Sequence, residues 1–87
     1  MLPLQDLGTG RAFVHPLFVS VENNRDEWFA LSADLGLVGH GESDLEAFDD
    51  LRDKIGELFD SLVEMRSDLG PALRNQLKFL ERLAGTL

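Results

Sequence analysis

The sequence predicts an α+β fold: a small antiparallel sheet of three strands, or four, with a long helix packed on one face and a further helix at the C-terminus. Two observations lead to this prediction. Short segments in which apolar and polar residues alternate, typical of half-buried strands, occupy the first half of the chain. Apolar residues at spacings of three and four, typical of amphipathic helices, occupy the second half. With 87 residues, the chain is one domain by length and its core is thin.

Three strands are expected before the long helix. The first covers Leu17–Glu22, and Pro16 fits just before it because proline cannot donate a hydrogen bond to a ladder. A turn at Asn23–Asp26 leads to a second strand over Trp28–Ala33, since Asn and Asp tolerate left-handed dihedral angles. The glycine-rich segment Leu37–Glu42 is the third strand. Together these segments predict a hairpin extended by one strand.

The long helix begins with a strong capping signal. Ser43 can cap the third backbone amide, and Glu46 can reach back to the Ser43 amide, which is the capping-box arrangement. Gly39 and Gly41 share one face of the preceding strand, which predicts that the helix packs closely against the backbone there. Its predicted apolar face is formed by Leu45, Phe48, Leu51, Ile55, Leu58, Phe59 and Leu62.

The opposite side of this helix is acidic. Seven carboxylates between Glu46 and Glu64 fall within an arc of roughly 100° on a helical wheel, and only Arg52 and Lys54 lie along the helix to offset them. Like charges three and four residues apart destabilise a helix unless a cation faces them. A basic protein partner is therefore predicted, with a merely solvated face as the alternative. The candidate partner-binding residues are Glu46, Asp49, Asp50, Asp53, Glu57 and Asp60.

A second helix is expected to begin near Pro71, with Asp68 as its cap. Its broad leucine face predicts either an oligomer interface or completion of the subunit core. Arg74, Lys78 and Arg82 form a basic stripe on the other side, which could meet the acidic helix within one subunit or across an oligomer. The candidate interface residues are Leu73, Leu77, Leu80 and Leu83.

Three segments are expected along the chain. Residues 1–11 contain Pro3, Gly8 and Gly10 and are expected to form a loosely ordered arm. Residues 12–66 hold the strands and the long helix, and residues 67–87 hold the second helix.

Composition argues against several classes of function. The net charge of −8 argues against direct DNA or RNA binding, because phosphate contacts need clustered cations. Cysteine is absent, which excludes disulfides, thiolate metal sites and a cysteine nucleophile. No apolar run approaches the ~18 residues that span a membrane, and the N-terminus does not resemble a signal peptide. A cytoplasmic location is therefore expected.

No constellation of catalytic residues is evident. His15 and His40 lie in separate segments, so neither a metal ion nor another cofactor is expected. The enzymatic alternative is a metal-dependent nuclease, in which the strand-end acids Glu22, Asp34 and Glu42 would have to converge on metal ions. Nothing in their spacing requires convergence, and the chain is not expected to be an enzyme.

Two runs, Glu27–Gly36 and Gly39–Ala47, match a known pattern. The first is an aromatic strand closed by an aspartate-leucine turn, and the second reads Gly-x-(Ser/Thr)-x-x-Glu-Ala at the opening of a helix. Together they resemble the HicB antitoxin family, and the resemblance extends over about residues 17–62. The residues that match the second pattern are Gly41, Ser43, Glu46 and Ala47.

The resemblance implies a truncated ribonuclease-H-like unit. Family members neutralise a small basic toxin ribonuclease by covering its surface, form dimers or tetramers, and often bind their own operator. Two features of the family are not evident here: a fourth strand after the main helix, in Leu62–Ser67, and an added C-terminal DNA-binding segment before Leu87. The prediction is a non-catalytic, antitoxin-like protein that covers a basic protein. The alternatives are a solitary, self-associating HicB-like module of unknown ligand and a metal-dependent nuclease remnant.

Overall fold

The computed structural model describes residues 2–6 and 12–85 and confirms the predicted α+β class. Four strands form one antiparallel sheet in the order β1-β2-β3-β4, and two helices follow it. The strands are β1 (Leu2–Asp6), β2 (Ala12–Asn24), β3 (Glu27–Ser32) and β4 (Leu37–Gly41). The helices are α1 (Asp44–Glu64) and α2 (Pro71–Ala84), with a short 3₁₀ turn at Arg66–Asp68 between them.

Both helices cover the same face of the sheet. Leu17 and Val19 of β2 are buried, whereas Phe18 between them is 55% exposed. Ala30 of β3 and Gly39 of β4 are cross-strand partners, and both are buried. This inner face packs against α1 along β3 and β4 and against α2 along β2. The alternation predicted for β2 and β3 is confirmed, and it leaves the other face of the sheet uncovered by either helix.

α1 approaches β4 so closely that only glycine fits at two positions. A Cβ atom added at Gly39 would lie 2.5 Å from the Ala47 carbonyl oxygen and closer still to the Leu51 amide nitrogen. At Gly41, an added Cβ would lie 2.5 Å from the Cβ of Glu46. The close packing predicted from the two glycines is therefore confirmed.

α1 begins at the predicted position. The Glu46 backbone amide donates a hydrogen bond of 3.1 Å to the Ser43 hydroxyl, which is one half of the predicted capping box. Leu45 was predicted on the apolar face but is 66% exposed. Its Cα lies about 80° around the helix from that of Ile55, at 100° per residue, so Leu45 lies at the margin of the apolar face. There it borders a shallow surface groove together with Pro3 and Phe48. The buried positions of α1 are Ala47, Leu51, Ile55, Gly56, Phe59 and Leu62.

The N-terminal segment corrects the sequence prediction. Residues 2–6 of the expected loose arm form β1, which pairs with β2, and Leu4 is fully buried opposite Leu17. Residues 1 and 7–11 of the arm lie outside the described residues. A five-residue strand with Pro3 in it has too little alternation to be distinguished from a loop, and pairing with β2 supplies the missing stabilisation. The fourth strand therefore precedes the others, whereas residues 62–64 form the end of α1 and residues 66–67 lie in the 3₁₀ turn.

β2 is longer than predicted and includes Pro16 in its interior. The partners of β1 shift from Leu17, opposite Leu4, to Ala12, opposite Asp6, so Pro16 falls in the skipped stretch where a ladder hydrogen bond is not required. In the following turn, the left-handed residue is Arg25, with φ of 62°, rather than one of the Asn or Asp residues.

α2 begins at Pro71 as predicted, but its N-cap is Gly70, and Asp68 belongs to the 3₁₀ turn. Gly85 ends the helix in the left-handed region, with φ of 76°. The buried leucines of α2 belong to the same hydrophobic cluster as those of β2 and α1. Residues 12–66 and the described part of segment 67–87, up to residue 85, therefore share one core.

Candidate functional site

The acidic face of α1 is held on the outside of the molecule by the packing of its opposite face. Leu51 and Ile55 are fully buried against the sheet, so the carboxylates on the other side of the helix point away from it. Four of the six candidate partner-binding residues are exposed: Glu46, Asp53, Glu57 and Asp60. The other two, Asp49 and Asp50, are half-buried. The acidic face thus presents exposed carboxylates along the length of α1.

Asp50 joins α1 to the edge of the sheet. Its carboxylate accepts a hydrogen bond of 3.0 Å from the His40 backbone amide and forms an ion pair of 3.0 Å with Lys54. The Lys54 ammonium also donates to the Val38 carbonyl oxygen at 2.9 Å. The His40 amide and the Lys54 side chain lower the pKa of Asp50, in that order of importance, and partial burial offsets some of this effect. Asp50 therefore has a structural role in this chain.

Asp49 also has a cationic neighbour in the same helix. Its carboxylate lies 3.1 Å from an Arg52 guanidinium nitrogen, three residues further along α1. Pairs at this spacing stabilise a helix by about 0.2–0.5 kcal/mol and remain accessible to water. Of the sequence-predicted acidic residues, Glu46, Asp53 and Glu57 are therefore the more available for a partner.

The predicted oligomer interface on α2 needs correction. Leu77, Leu80 and Leu83 are 3%, 0% and 8% exposed, because they pack into the core of the single chain. Leu73 is 42% exposed, at the start of the helix. The sequence left open whether this leucine face completes the core or forms an interface. Leu77, Leu80 and Leu83 complete the core.

Two basic residues near α2, Arg66 and Arg74, form hydrogen bonds within the chain. The Arg66 guanidinium donates a hydrogen bond of 2.8 Å to the carboxylate of Glu81, which is only 8% exposed. Arg74 donates to the Leu69 carbonyl oxygen at 3.1 Å. These contacts tie the segment between the helices to α2. Lys78 and Arg82 are exposed.

The acids of the nuclease alternative lie at both ends of the sheet. Glu22 and Glu42 are near the end with the β2–β3 turn, whereas Asp34 follows the other end of β3. Within residues 2–6 and 12–85, no three His, Cys, Asp or Glu side chains are grouped so that they could hold a metal ion. The structure therefore does not bring Glu22, Asp34 and Glu42 together.

The outer face of the sheet is a feature that the sequence analysis did not identify as a site. Phe18 is 55% exposed and Val38 43% exposed, and Phe29 and Leu31 lie half-buried between them on β3. The sequence of β3 did indicate this exposed apolar area, because apolar residues lie on both sides of the strand. A strand covered on one side only is expected to alternate with polar residues, so the apolar residues Phe29 and Leu31 leave a partly exposed apolar area on the outer face of the sheet.

Comparisons with known proteins returned no matching family model, no matching curated protein and no matching solved structure. Neither helix in the described part of the chain has the length and apolar character needed to cross a membrane.

Proposed function

We propose that this chain is a non-catalytic, antitoxin-like protein that covers a small basic protein, such as a toxin ribonuclease, through the acidic face of α1. The observation that supports the proposal is the exposure of Glu46, Asp53 and Glu57 on one side of a helix whose other side is buried. The HicB-like runs Glu27–Gly36 and Gly39–Ala47 supply the class of partner. Such a protein would act in the cytoplasm, beside its target.

The proposed contact is electrostatic. A ribonuclease binds the phosphates of RNA with clustered Lys and Arg side chains. A helix with carboxylates along one side, in a chain of net charge −8, presents a competing set of anions to that surface. Complementary charge raises the rate of association and favours the correct partner. Covering the cationic surface of the ribonuclease would block the access of RNA.

The structure narrows the set of residues that a partner would contact. Asp50 holds the edge of β4 through His40 and Lys54, and Asp49 lies beside Arg52. A basic partner would have to compete with these cations. The principal contacts are therefore assigned to exposed residues, of which Asp53 and Glu57 lie at the middle of α1.

The test is inhibition of a small basic ribonuclease encoded by the reading frame next to the gene of this chain. Purified chain is added to the ribonuclease, and cleavage of labelled RNA is measured. The unmodified chain should inhibit, and the double variant Asp53→Lys, Glu57→Lys should inhibit at least about tenfold less, because it places cations against cations.

The matched control is the double variant Asp26→Lys, Asp34→Lys. Both of these acids are exposed and lie in the turns before β3 and before β4 rather than on α1, and the change in net charge is the same. It should inhibit as the unmodified chain does. Equal loss in both variants would show that only overall charge matters. A neighbouring frame that encodes no basic protein, or full inhibition by the α1 variant, would contradict the proposal.

The second candidate function is a solitary, self-associating module. The exposed apolar residues on the outer face of the sheet, Phe18 and Val38 among them, favour this alternative. It requires no toxin and uses the opposite side of the molecule from the acidic face.

A further inference from the structure

We infer that the outer face of the sheet binds an amphipathic helix of another protein, whose contact stripe is apolar at one end and carries Lys or Arg at the other. The inference is independent of the proposed antitoxin function. It uses the face of the sheet opposite α1, so the acidic face of α1 stays accessible when the outer face is occupied.

One end of the outer face is apolar. Leu31 of β3 is aligned with Ser20 of β2 and with Val38 of β4, and Phe18 lies two residues before Ser20 on the same side of β2. A groove of about 350 Å³ lies here, and its lining includes Ser20, Leu31 and Val38. Exposed apolar areas rimmed by polar residues are typical of surfaces that bind another protein.

The other end of this face, beside the β2–β3 turn, is acidic. Glu27 lies on the same side of β3 as Phe29, and the exposed Glu22 is aligned with Phe29 on β2. A groove of about 700 Å³ lies at this end. Of the described residues that line it, the acids are Asp26, Glu27 and Glu42, and the basic residues are Arg25 and His40.

The contact between Glu27 and His40 leaves this carboxylate accessible. The Glu27 oxygen lies 3.7 Å from the Nδ1 atom of His40, and the two side chains are 56% and 59% exposed. Exposed pairs of this kind contribute little to stability, so a cation of a partner can compete for the carboxylate.

The two ends together specify the chemistry of the occupant. A Lys or Arg side chain over Glu22 and Glu27 gains ion pairs, whereas an apolar side chain there would cover carboxylates without pairing them. The same carboxylates repel nucleic acids and anionic lipids. Two copies of this chain, face to face, would set these carboxylates either against each other or against the apolar residues of the other copy. A stripe that is apolar at one end and cationic at the other avoids both costs.

The pairing within the sheet favours a helix as the bound element. The backbone groups of β3 already pair with β2 and β4, so an extended segment lying on the face would bury its own amide and carbonyl groups without partners. A helix satisfies these groups internally, as α1 does on the inner face.

The length of the face sets the length of this helix. Phe18 lies six residues along β2 from Asn24, the partner of Glu27, which is about 20 Å at ~3.4 Å per residue. A helix of about 14 residues spans this distance.

The test is binding of a synthetic 14-residue peptide to the full chain, measured by isothermal titration calorimetry. The peptide is held helical by a lactam bridge on its far side, and its contact stripe carries Leu in the first half and Arg in the second. A second peptide carries Glu in place of Arg. The Arg peptide should bind, and the Glu peptide should bind at least about tenfold more weakly because its charges face carboxylates.

Two double variants of the chain locate the site. Glu22→Gln, Glu27→Gln removes the acids, and Phe18→Ser, Val38→Ser removes apolar contact. All four side chains are exposed, so both variants should remain folded. Each should weaken binding of the Arg peptide at least about tenfold.

Each double variant has a matched control. Glu64→Gln, Asp68→Asn makes the same change in net charge, and Leu45→Ser, Leu73→Ser removes two exposed apolar side chains. All four positions are exposed and lie outside the sheet. Both controls should bind the Arg peptide as the unmodified chain does.

A further variant, Asp53→Asn, Glu57→Gln, separates this site from the acidic face of α1, and it should leave binding of the Arg peptide unchanged. A larger loss from this variant than from Glu22→Gln, Glu27→Gln would place the peptide on α1 and overturn the inference without affecting the proposed function. Absence of binding by the Arg peptide, equal binding of the two peptides, or equal losses in the outer-face variants and their controls would also overturn it.

Discussion

The Asp50 carboxylate of α1 accepts a hydrogen bond from the His40 backbone amide of β4 at 3.0 Å, and so joins the long helix to the last strand of the sheet. Lys54 extends this contact by binding both Asp50 and the Val38 carbonyl oxygen. Edge strands present backbone groups that can template pairing with another chain. These two side chains occupy such groups on β4. Asp50, which the sequence analysis assigned to partner binding, therefore helps to cover the exposed edge of β4.

Replacement of Asp50 should lower the stability of the fold. Asp50→Ala removes a hydrogen bond to His40 and an ion pair with Lys54, and we expect the free energy of unfolding to fall by about 1–2 kcal/mol. Urea denaturation measures this. Asp53→Ala, an exposed acid on the same helix, is the control and should change stability by less than about 0.5 kcal/mol. Equal effects of the two substitutions would contradict the structural role of Asp50.

The contribution of Asp50 should depend on pH. The pKa of this carboxyl is lower in the folded chain than its ordinary value of 3.8, chiefly because of the His40 amide. A lowered pKa means that the stabilisation is complete above the unfolded pKa and is lost as the pH falls through the folded pKa. The difference in unfolding free energy between the unmodified chain and Asp50→Ala should therefore be constant near neutral pH and shrink below about pH 4. A difference that grows in acid would refute the assignment.

Two glycines should respond to alanine in opposite ways. Gly39→Ala places a Cβ against the Ala47 and Leu51 backbone and should destabilise the chain by about 3 kcal/mol or more, since backbone must move. Gly56→Ala places a Cβ where no atom lies within 4 Å, in the middle of α1. It should stabilise by about 0.5–1 kcal/mol through helix propensity. Thermal unfolding followed by circular dichroism gives both values, and a tolerated Gly39→Ala would rule out the close packing of α1 on β4.

The cap of α1 provides a local test. Ser43→Ala removes the hydroxyl that accepts from the Glu46 amide, and the expected loss is about 1 kcal/mol. Ser61→Ala, at an exposed position within the same helix, should be neutral or slightly stabilising because alanine is the better helix former. The two variants are compared by chemical denaturation. A loss from Ser61→Ala as large as that from Ser43→Ala would argue against the cap.

The contact between Arg66 and Glu81 should contribute more to the free energy of unfolding than an ion pair on the surface does. Glu81 is 8% exposed, so Arg66→Ala leaves a largely buried carboxylate with one charged partner fewer. We expect a loss of about 1–2 kcal/mol. Lys78 is an exposed cation on α2, and Lys78→Ala should change the free energy of unfolding by less than about 0.5 kcal/mol. If the two substitutions cost the same, the Arg66 contact contributes no more than an exposed charge.

The sequence predicted the elements whose signals are local. The Ser43 cap, the buried face of α1 and the glycines of β4 each follow from spacing alone, and each is confirmed except for Leu45, which is exposed. β1 was missed because its stability comes from pairing with β2, and the sequence of a five-residue segment does not show which strand it will pair with. Whether the leucines of α2 would be buried in the core or exposed depended on how α2 packs against the sheet. The role of Asp50 depended on which strand lies beside α1. Both are properties of packing, which a periodicity cannot specify.

The most direct test of the acidic face is a map of the partner contacts by amide chemical shifts. The ¹⁵N-labelled chain is titrated with the basic protein encoded by the neighbouring frame. We predict that the largest changes occur at the exposed positions of α1, around Asp53 and Glu57, and that added salt reduces them. Changes confined to the outer face of the sheet, around Phe18 and Val38, or no changes at all, would contradict the assignment of the partner to α1.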